Sequence, residues 1–130
     1  MYAVDIVNRG GYCFTVESKG YEFSVDMKGA QGVTPPDALL ASLGSCIGVY
    51  IRKYIEGAGL SLAEFKVSVD ADFDKTGAPC FKEINVNVEL KGINLDARRL
   101  NAMLEFVKKC PVHNTLKSNP EVQIKINLES

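Results

Sequence analysis

From Pro35 to Ile51 the chain carries a single charge, Asp37, and reads as one helix without a charged face. Thr34 is a capping residue, Pro35 suits the first helical position, and Asp37 falls at N3. The run Leu39-Leu40-Ala41-Ser42-Leu43-Gly44-Ser45-Cys46-Ile47-Gly48 is apolar on all sides until Arg52, and Gly57 and Gly59 end the pattern after Glu56. A helix of that kind is stable only when protein surrounds it, so the rest of the chain has to supply the enclosure.

Strand patterns provide the material. Residues 3–7, 12–17 and 21–26 read as strands, the last two joined by Ser18-Lys19-Gly20, whose glycine suits a tight hairpin turn. Phe65, Val67, Val69, Ala71 and Phe73 alternate with polar residues, as do Ile84, Val86, Val88 and Leu90, with Lys75-Thr76-Gly77-Ala78-Pro79 as the turn between them. Asn94 is the expected cap of a second helix carrying Leu95, Leu100, Met103, Leu104 and Val107 at helical spacing, which Pro111 ends just after Cys110. A short helical turn through Asn114 to Lys117 then precedes a last strand in which Val122, Ile124, Ile126 and Leu128 alternate with Gln123, Lys125, Asn127 and Glu129. Antiparallel hairpins without a repeating strand-helix unit predict an α+β fold, with strands wrapped around a long buried central helix. At 130 residues and 46% hydrophobic, one domain over 1–130 with one core is expected.

Charge removes several functions. Fifteen basic and 16 acidic side chains, with no cationic cluster beyond a pair, leave no footprint for nucleic acid or an anionic membrane surface. The N-terminus lacks a basic segment followed by an apolar core, and the uncharged run 38–51 is too short for a bilayer, so a cytoplasmic protein is expected. There, four cysteines point to redox or metal roles before structural disulfides.

Cys46 lies mid-helix among small residues, Ala41, Ser42, Gly44, Ser45 and Gly48. Two glycines inside a helix cost roughly 1 kcal/mol each relative to alanine, which close approach of another segment or a substrate would offset. A free cysteine in such a run is ordinarily packing. Mid-helix placement gives no dipole to lower its pKa, so reactivity needs a cation or donor from elsewhere. Tyr50 and Lys53 share its helical face, Tyr50 being the nearest hydroxyl and equally a core aromatic, whereas Arg52 is rotated about 120° away. Asp37 falls about 180° from Cys46, which favours capping. Arg9, beside Gly10-Gly11, is either a solvated turn residue or a cation reaching a thiolate across a subunit interface. Cys110 directly precedes Pro111, so its sulfur is expected near the backbone N–H groups of a following helical turn. Cys13 and Cys80 have no such setting. A metal site from Cys46, Cys110 and His113 would need paired ligand spacings that one histidine and no Cys-x-x-Cys do not provide. No metal or other cofactor is expected, and no hydrolase, phosphate-cradling or nucleotide motif is present.

The segment Thr34-Pro35-Pro36-Asp37-Ala38-Leu39-Leu40-Ala41-Ser42-Leu43-Gly44-Ser45-Cys46, together with Cys110-Pro111-Val112-His113-Asn114-Thr115-Leu116, resembles the OsmC/Ohr family of thiol-dependent peroxidases, and the likeness extends over the element order of the whole chain. The resemblance implies an intertwined homodimer with active sites at the subunit interface. It makes Cys46 the peroxidatic and Cys110 the resolving cysteine, a hydroperoxide the small-molecule substrate, and an external dithiol the reductant. In well-studied members an acidic residue lies ten places before the nucleophile. Here that place is Pro36, with Asp37 one residue late. The alternative implied by that departure is an OsmC-like module that binds a small apolar ligand at the interface without peroxidase activity.

Overall fold

Local turn chemistry accounts for the first three strands. In the computed structural model, which describes residues 1–128, β1 (Asp5–Asn8), β2 (Cys13–Ser18) and β3 (Tyr21–Asp26) form an antiparallel sheet in that order. Ser18 pairs with Tyr21, so Lys19 and Gly20 make the two-residue turn, Gly20 with φ of 79°. Asn8 closes the β1–β2 turn, its Nδ2 donating to the carbonyls of Gly11 and Cys13 at 3.2 and 3.1 Å. After β3 the buried Asp26 carboxylate accepts the backbone N–H groups of Lys28 and Gln31 at 2.9 and 3.0 Å. Those bonds, first the one from Lys28, hold its pKa below the ordinary carboxylate value. The loop passes so close to β3 that a Cβ on Gly32 would collide with the Ser24 carbonyl.

The helix start follows the sequence. α1 (Pro35–Gly57) is capped by Thr34, whose Oγ1 accepts the Asp37 N–H at 3.3 Å. It ends where Gly59 takes φ of 66° and Leu60 N–H returns to Ile55 O at 2.9 Å. Within the single chain, burial along α1 is confined to one side. Leu43, Gly44, Ile47, Ile51 and Ile55 form one buried stripe at helical spacing, while Leu39, Ala41, Ser42, Ser45 and Val49 stay exposed, Val49 at 50%. At 23 residues the helix is long and apolar enough to cross a membrane, yet a single buried stripe is what a core helix shows. The sequence pattern marks every apolar face, and one chain alone covers this stripe.

β4 (Phe65–Asp74) and β5 (Cys80–Leu90) pair as a two-stranded sheet. Lys82 meets Asp74, Asn85 meets Asp70 at 3.3 Å, and the Phe73 and Phe81 rings stack edge to face at 5.6 Å. α2 (Ala97–Val107) is capped by Asp96, not Asn94: its Oδ1 accepts the Arg99 N–H at 2.8 Å, and Leu95 lies outside the helix. The carboxylate two residues nearer the apolar stripe won over the amide. α2 also ends at Val107, before Cys110, and the expected turn over 114–117 is a full helix, α3 (Pro111–Ser118), closed by Asn119 in the left-handed region at φ 49°.

The expected last strand is absent among the described residues, Glu129 of that expectation lying outside them. Residues 122–128 take no strand pairing, and Val122, Ile124, Ile126 and Leu128 are 77 to 96% exposed. Alternation alone cannot make a strand without an available edge. Internal contacts group the chain into two parts, Met1–Gly44 with Ser68–Asn87, and Ser45–Val67 with the chain from Val88 onward.

Candidate active site

Both candidate thiols fall in the second part. Cys46 stands mid-helix in α1, partly exposed, and Gly48 beyond it has the Phe65 ring in ordinary contact range, 3.6 Å from where a Cβ would stand. Glycine at 48 is therefore not demanded by that neighbour.

Cys110 is placed by the tight exit of α2. Lys108, Lys109 and Cys110 send their N–H groups back to Leu104, Phe106 and Val107 at 3.1 to 3.2 Å, turning the chain sharply into Pro111. Cys110 becomes the N-cap of α3, with Pro111 at N1, and its Sγ accepts the His113 N–H at 3.5 Å. The expectation of a sulfur beside helix N–H groups is met. Its effect on acidity is overridden, because Cys110 has no exposed surface, and burial raises the thiol pKa above its ordinary value more than those N–H groups lower it. The second contribution to the rise is the neighbouring Cys46 thiol. A thiol on α1 and a thiol between α2 and α3 are thus neighbours.

An aromatic cluster joins the two helices. Phe106, at the end of α2, packs against Tyr50 and Tyr54 of α1 with ring centroids at 5.7 and 5.9 Å, and Tyr54 Oη donates to Arg99 O at 3.5 Å. Lys53 lies over the Tyr50 ring at 4.9 Å and Lys109 over Phe106 at 5.4 Å. Tyr50 thereby serves as packing that ties α2 to the helix bearing Cys46. Phe106 and Tyr54 escaped the sequence reading. Tyr50 and Tyr54, one helical turn apart on the Cys46 side, were the available signal. Leu100, Met103, Leu104 and Val107 of α2 line a small apolar cleft with Ile51 of α1 and Val88 and Leu90 of β5.

The remaining candidates have other surroundings. Arg52 is occupied, donating to the carbonyls of Leu62 and Ala63 with its guanidinium 5.1 Å from the Phe65 ring. Asp37 is exposed in the first turn of α1, and Arg9 is exposed in the β1–β2 turn. Cys80 is exposed, and Cys13 sits 3.7 Å from Gln31 Oε1. Among the described residues no three of His, Cys, Asp and Glu converge as metal ligands. What a Cys46–Cys110 pair can do chemically is exchange two thiols for one disulfide.

The same fold occurs in known proteins. The chain covers 90% of its length on 87% of an OsmC-like protein from Mycoplasma pneumoniae, with a TM-score of 0.80 and 22% identity. It covers 92% of its length on 92% of an organic hydroperoxide resistance protein from Legionella pneumophila, at TM-score 0.67 and 18% identity. Against the organic hydroperoxide resistance protein OhrB of Bacillus subtilis the values are 91% and 93%, 0.63 and 18%. No curated protein matches it in sequence. At such identities the structures establish the fold, an α+β arrangement shared with both OsmC-like and hydroperoxide-resistance proteins. The family model described as OsmC-like protein matches residues 28–125, which takes in both cysteine segments. The chain belongs to the OsmC family.

Proposed function

We propose that this chain is a cytoplasmic, homodimeric peroxidase that reduces organic hydroperoxides through Cys46 and Cys110. The observation that carries the reading is the neighbouring placement of the two thiols, one partly open to solvent and the other without exposed surface. The hydroperoxide-resistance proteins of like fold favour the same substrate class.

In this scheme the Cys46 thiolate attacks one oxygen of ROOH. The O–O bond breaks, the alcohol leaves with a proton, and Cys46 becomes a sulfenic acid. Cys110 then displaces hydroxide from that sulfur, forming the disulfide and releasing water, and an external dithiol restores both thiols by exchange. Full enclosure of Cys110 suits a resolving thiol, which must be near the sulfenate and shielded from oxidant. The thiolate of Cys46 requires a cation, and Arg9 of a second copy is the candidate. The exposed side of α1, at Leu39 and Val49, and the unpaired apolar residues 122–128 support association with that copy.

The test is thiol counting and disulfide mapping by mass spectrometry after one equivalent of cumene hydroperoxide, alongside Cys46→Ser and Cys110→Ser. Loss of two thiols with a Cys46–Cys110 linkage, absent from both variants, is expected. Thiols that stay reduced would overturn the reading and favour a module binding an apolar ligand.

A further inference from the structure

Two lysines of the helices that carry the thiols have no acidic partner. The ion pairs among the described residues join Lys82 to Asp74, Lys91 to Glu64 and Lys108 to Glu105, so Lys53 and Lys109 belong to none. Both are exposed, and each is folded over one ring of the cluster that joins α1 to α2. Lys53 Nζ stands 4.9 Å from the centre of the Tyr50 ring, Lys109 Nζ stands 5.4 Å from that of Phe106, and the two ring centroids are 5.7 Å apart. Two cations on adjoining rings make a local positive spot in a chain with more acidic than basic side chains. An exposed ammonium is held only weakly by an aromatic face, so it stays available to an anion. The spot is also placed relative to the thiols. Lys109 directly precedes Cys110, and Cys46, Tyr50 and Lys53 follow one another along the same face of α1. Seven residues at about 1.5 Å each put Lys53 about 10 Å along the helix from Cys46. The cations next to them in sequence are engaged, Arg52 by the carbonyls of Leu62 and Ala63 and Lys108 by Glu105.

We propose that Lys53 and Lys109 bind a carboxylate on the substrate, so that the site prefers hydroperoxides carrying an acid group at the end remote from the O–O bond. The inference rests on the peroxidase reading and adds the means by which the substrate is recognised away from its reacting atoms. With the hydroperoxide at Cys46 and the carboxylate at Lys53, the chain between them runs past the Tyr50 ring, one turn from the thiol, which gives its methylenes an apolar surface. An extended chain advances about 3.3–3.6 Å for every three bonds, so the 10 Å offset corresponds to roughly eight or nine carbons. Lysine suits the task, because a compact charge on a flexible stem accepts a carboxylate without demanding one geometry. The carboxylate keeps its charge throughout the reaction. Its binding is therefore equal in substrate and transition state, and the two lysines act on KM and leave kcat alone.

The test compares the linoleic acid hydroperoxide oxidised at its ninth carbon with the methyl ester of the same molecule, both below their micelle concentrations and with dithiothreitol as reductant. The full-length protein is set beside Lys53→Gln, Lys109→Gln and the double variant. In the unsubstituted protein kcat/KM for the acid is expected to exceed that for the ester about tenfold, each single variant losing about threefold of this preference and the double variant nearly all of it, as exposed ion pairs allow. The preference should sit in KM and fade as salt is added. Lys53→Arg, which keeps the charge, and Lys117→Gln, at the other end of α3 from Cys110, should both retain it. Equal use of acid and ester by the unsubstituted protein, or a preference that survives in the double variant, would overturn the proposal. Binding of linoleate and methyl linoleate, which carry no peroxide, is measured in the same proteins. If neither hydroperoxide oxidises Cys46 while linoleate still binds more tightly than its ester through the two lysines, the peroxidase reading falls and the carboxylate site stands. Equal binding of the two overturns the site.

Discussion

The β4–β5 hairpin and the segment 122–128 have the same period-two alternation of apolar and polar residues and opposite fates. β4 and β5 pair, their partner edges being joined by a short turn. Val122, Ile124, Ile126 and Leu128 follow a helix and a left-handed Asn119, face no adjacent edge, and remain almost fully exposed. The contrast teaches that alternation reports the readiness of a segment to lie on a sheet and leaves the location of that sheet undecided. For β4 the sheet comes with the next residues. For the tail, under the proposed dimer, it comes with a second copy.

The sharpest way to break the comparison is to delete the chain from Glu121 onward. Four side chains of this size, if buried in an interface, contribute on the order of 6–12 kcal/mol at about 1.5–3 kcal/mol each. Loss of that amount should abolish association, leaving a species close to the single-chain mass of 14.2 kDa minus the tail in light scattering, where the proposed dimer of the intact chain is expected at twice 14.2 kDa. An intact protein that is itself monomeric would mean that no second copy covers the tail. A smaller effect separates the two sides of α1. Ile51 is 1% exposed, so Ile51→Ala should lower stability by about 2–5 kcal/mol in chemical denaturation. Val49→Ala, on the open side, should cost within about 0.5 kcal/mol in a monomeric background. A Val49 cost equal to that of Ile51 would mean that the open side of α1 is covered within one chain.

What the sequence disclosed follows the same division. Thr34, Pro35 and the glycines after Glu56 bounded α1 correctly because caps act through neighbouring backbone atoms. Pro111 foretold a helix start and Cys110 its capping sulfur for the same reason. The two cysteines could be singled out by motif, whereas the docking of α2 on α1 through Phe106, Tyr50 and Tyr54 is a packing event between helices far apart in sequence. Asn94 and Asp96 both satisfy a capping rule, and only the register of the apolar stripe on α2 chooses between them. His113 Nδ1, buried without a hydrogen-bond partner among the described residues, is invisible in sequence, since being unpartnered is a property of surroundings.

The smallest expected effect concerns why the hairpin needs no second copy. Asp74 closes its turn by accepting from Thr76 Oγ1 at 2.6 Å and Thr76 N–H at 2.8 Å, with Lys82 Nζ at 3.4 Å. The Thr76 hydroxyl is the main reason the Asp74 carboxyl titrates below its ordinary value of 3.8, and Lys82 contributes least. A depressed carboxyl stabilises the fold above the unfolded pKa and ceases to do so as pH falls through the folded one. Thr76→Val should therefore lower the melting temperature at neutral pH and flatten its decline below pH 3.8. Lys82→Ala should barely move the melt, because its ammonium is two-thirds exposed and solvent screens the pair. Were Lys82→Ala the more damaging, the hairpin would be held by cross-strand charge and not by its turn. The tail, whose Lys125 lies opposite its apolar row, would then stand unpaired for want of a facing carboxylate, and the missing turn would cease to explain its exposure.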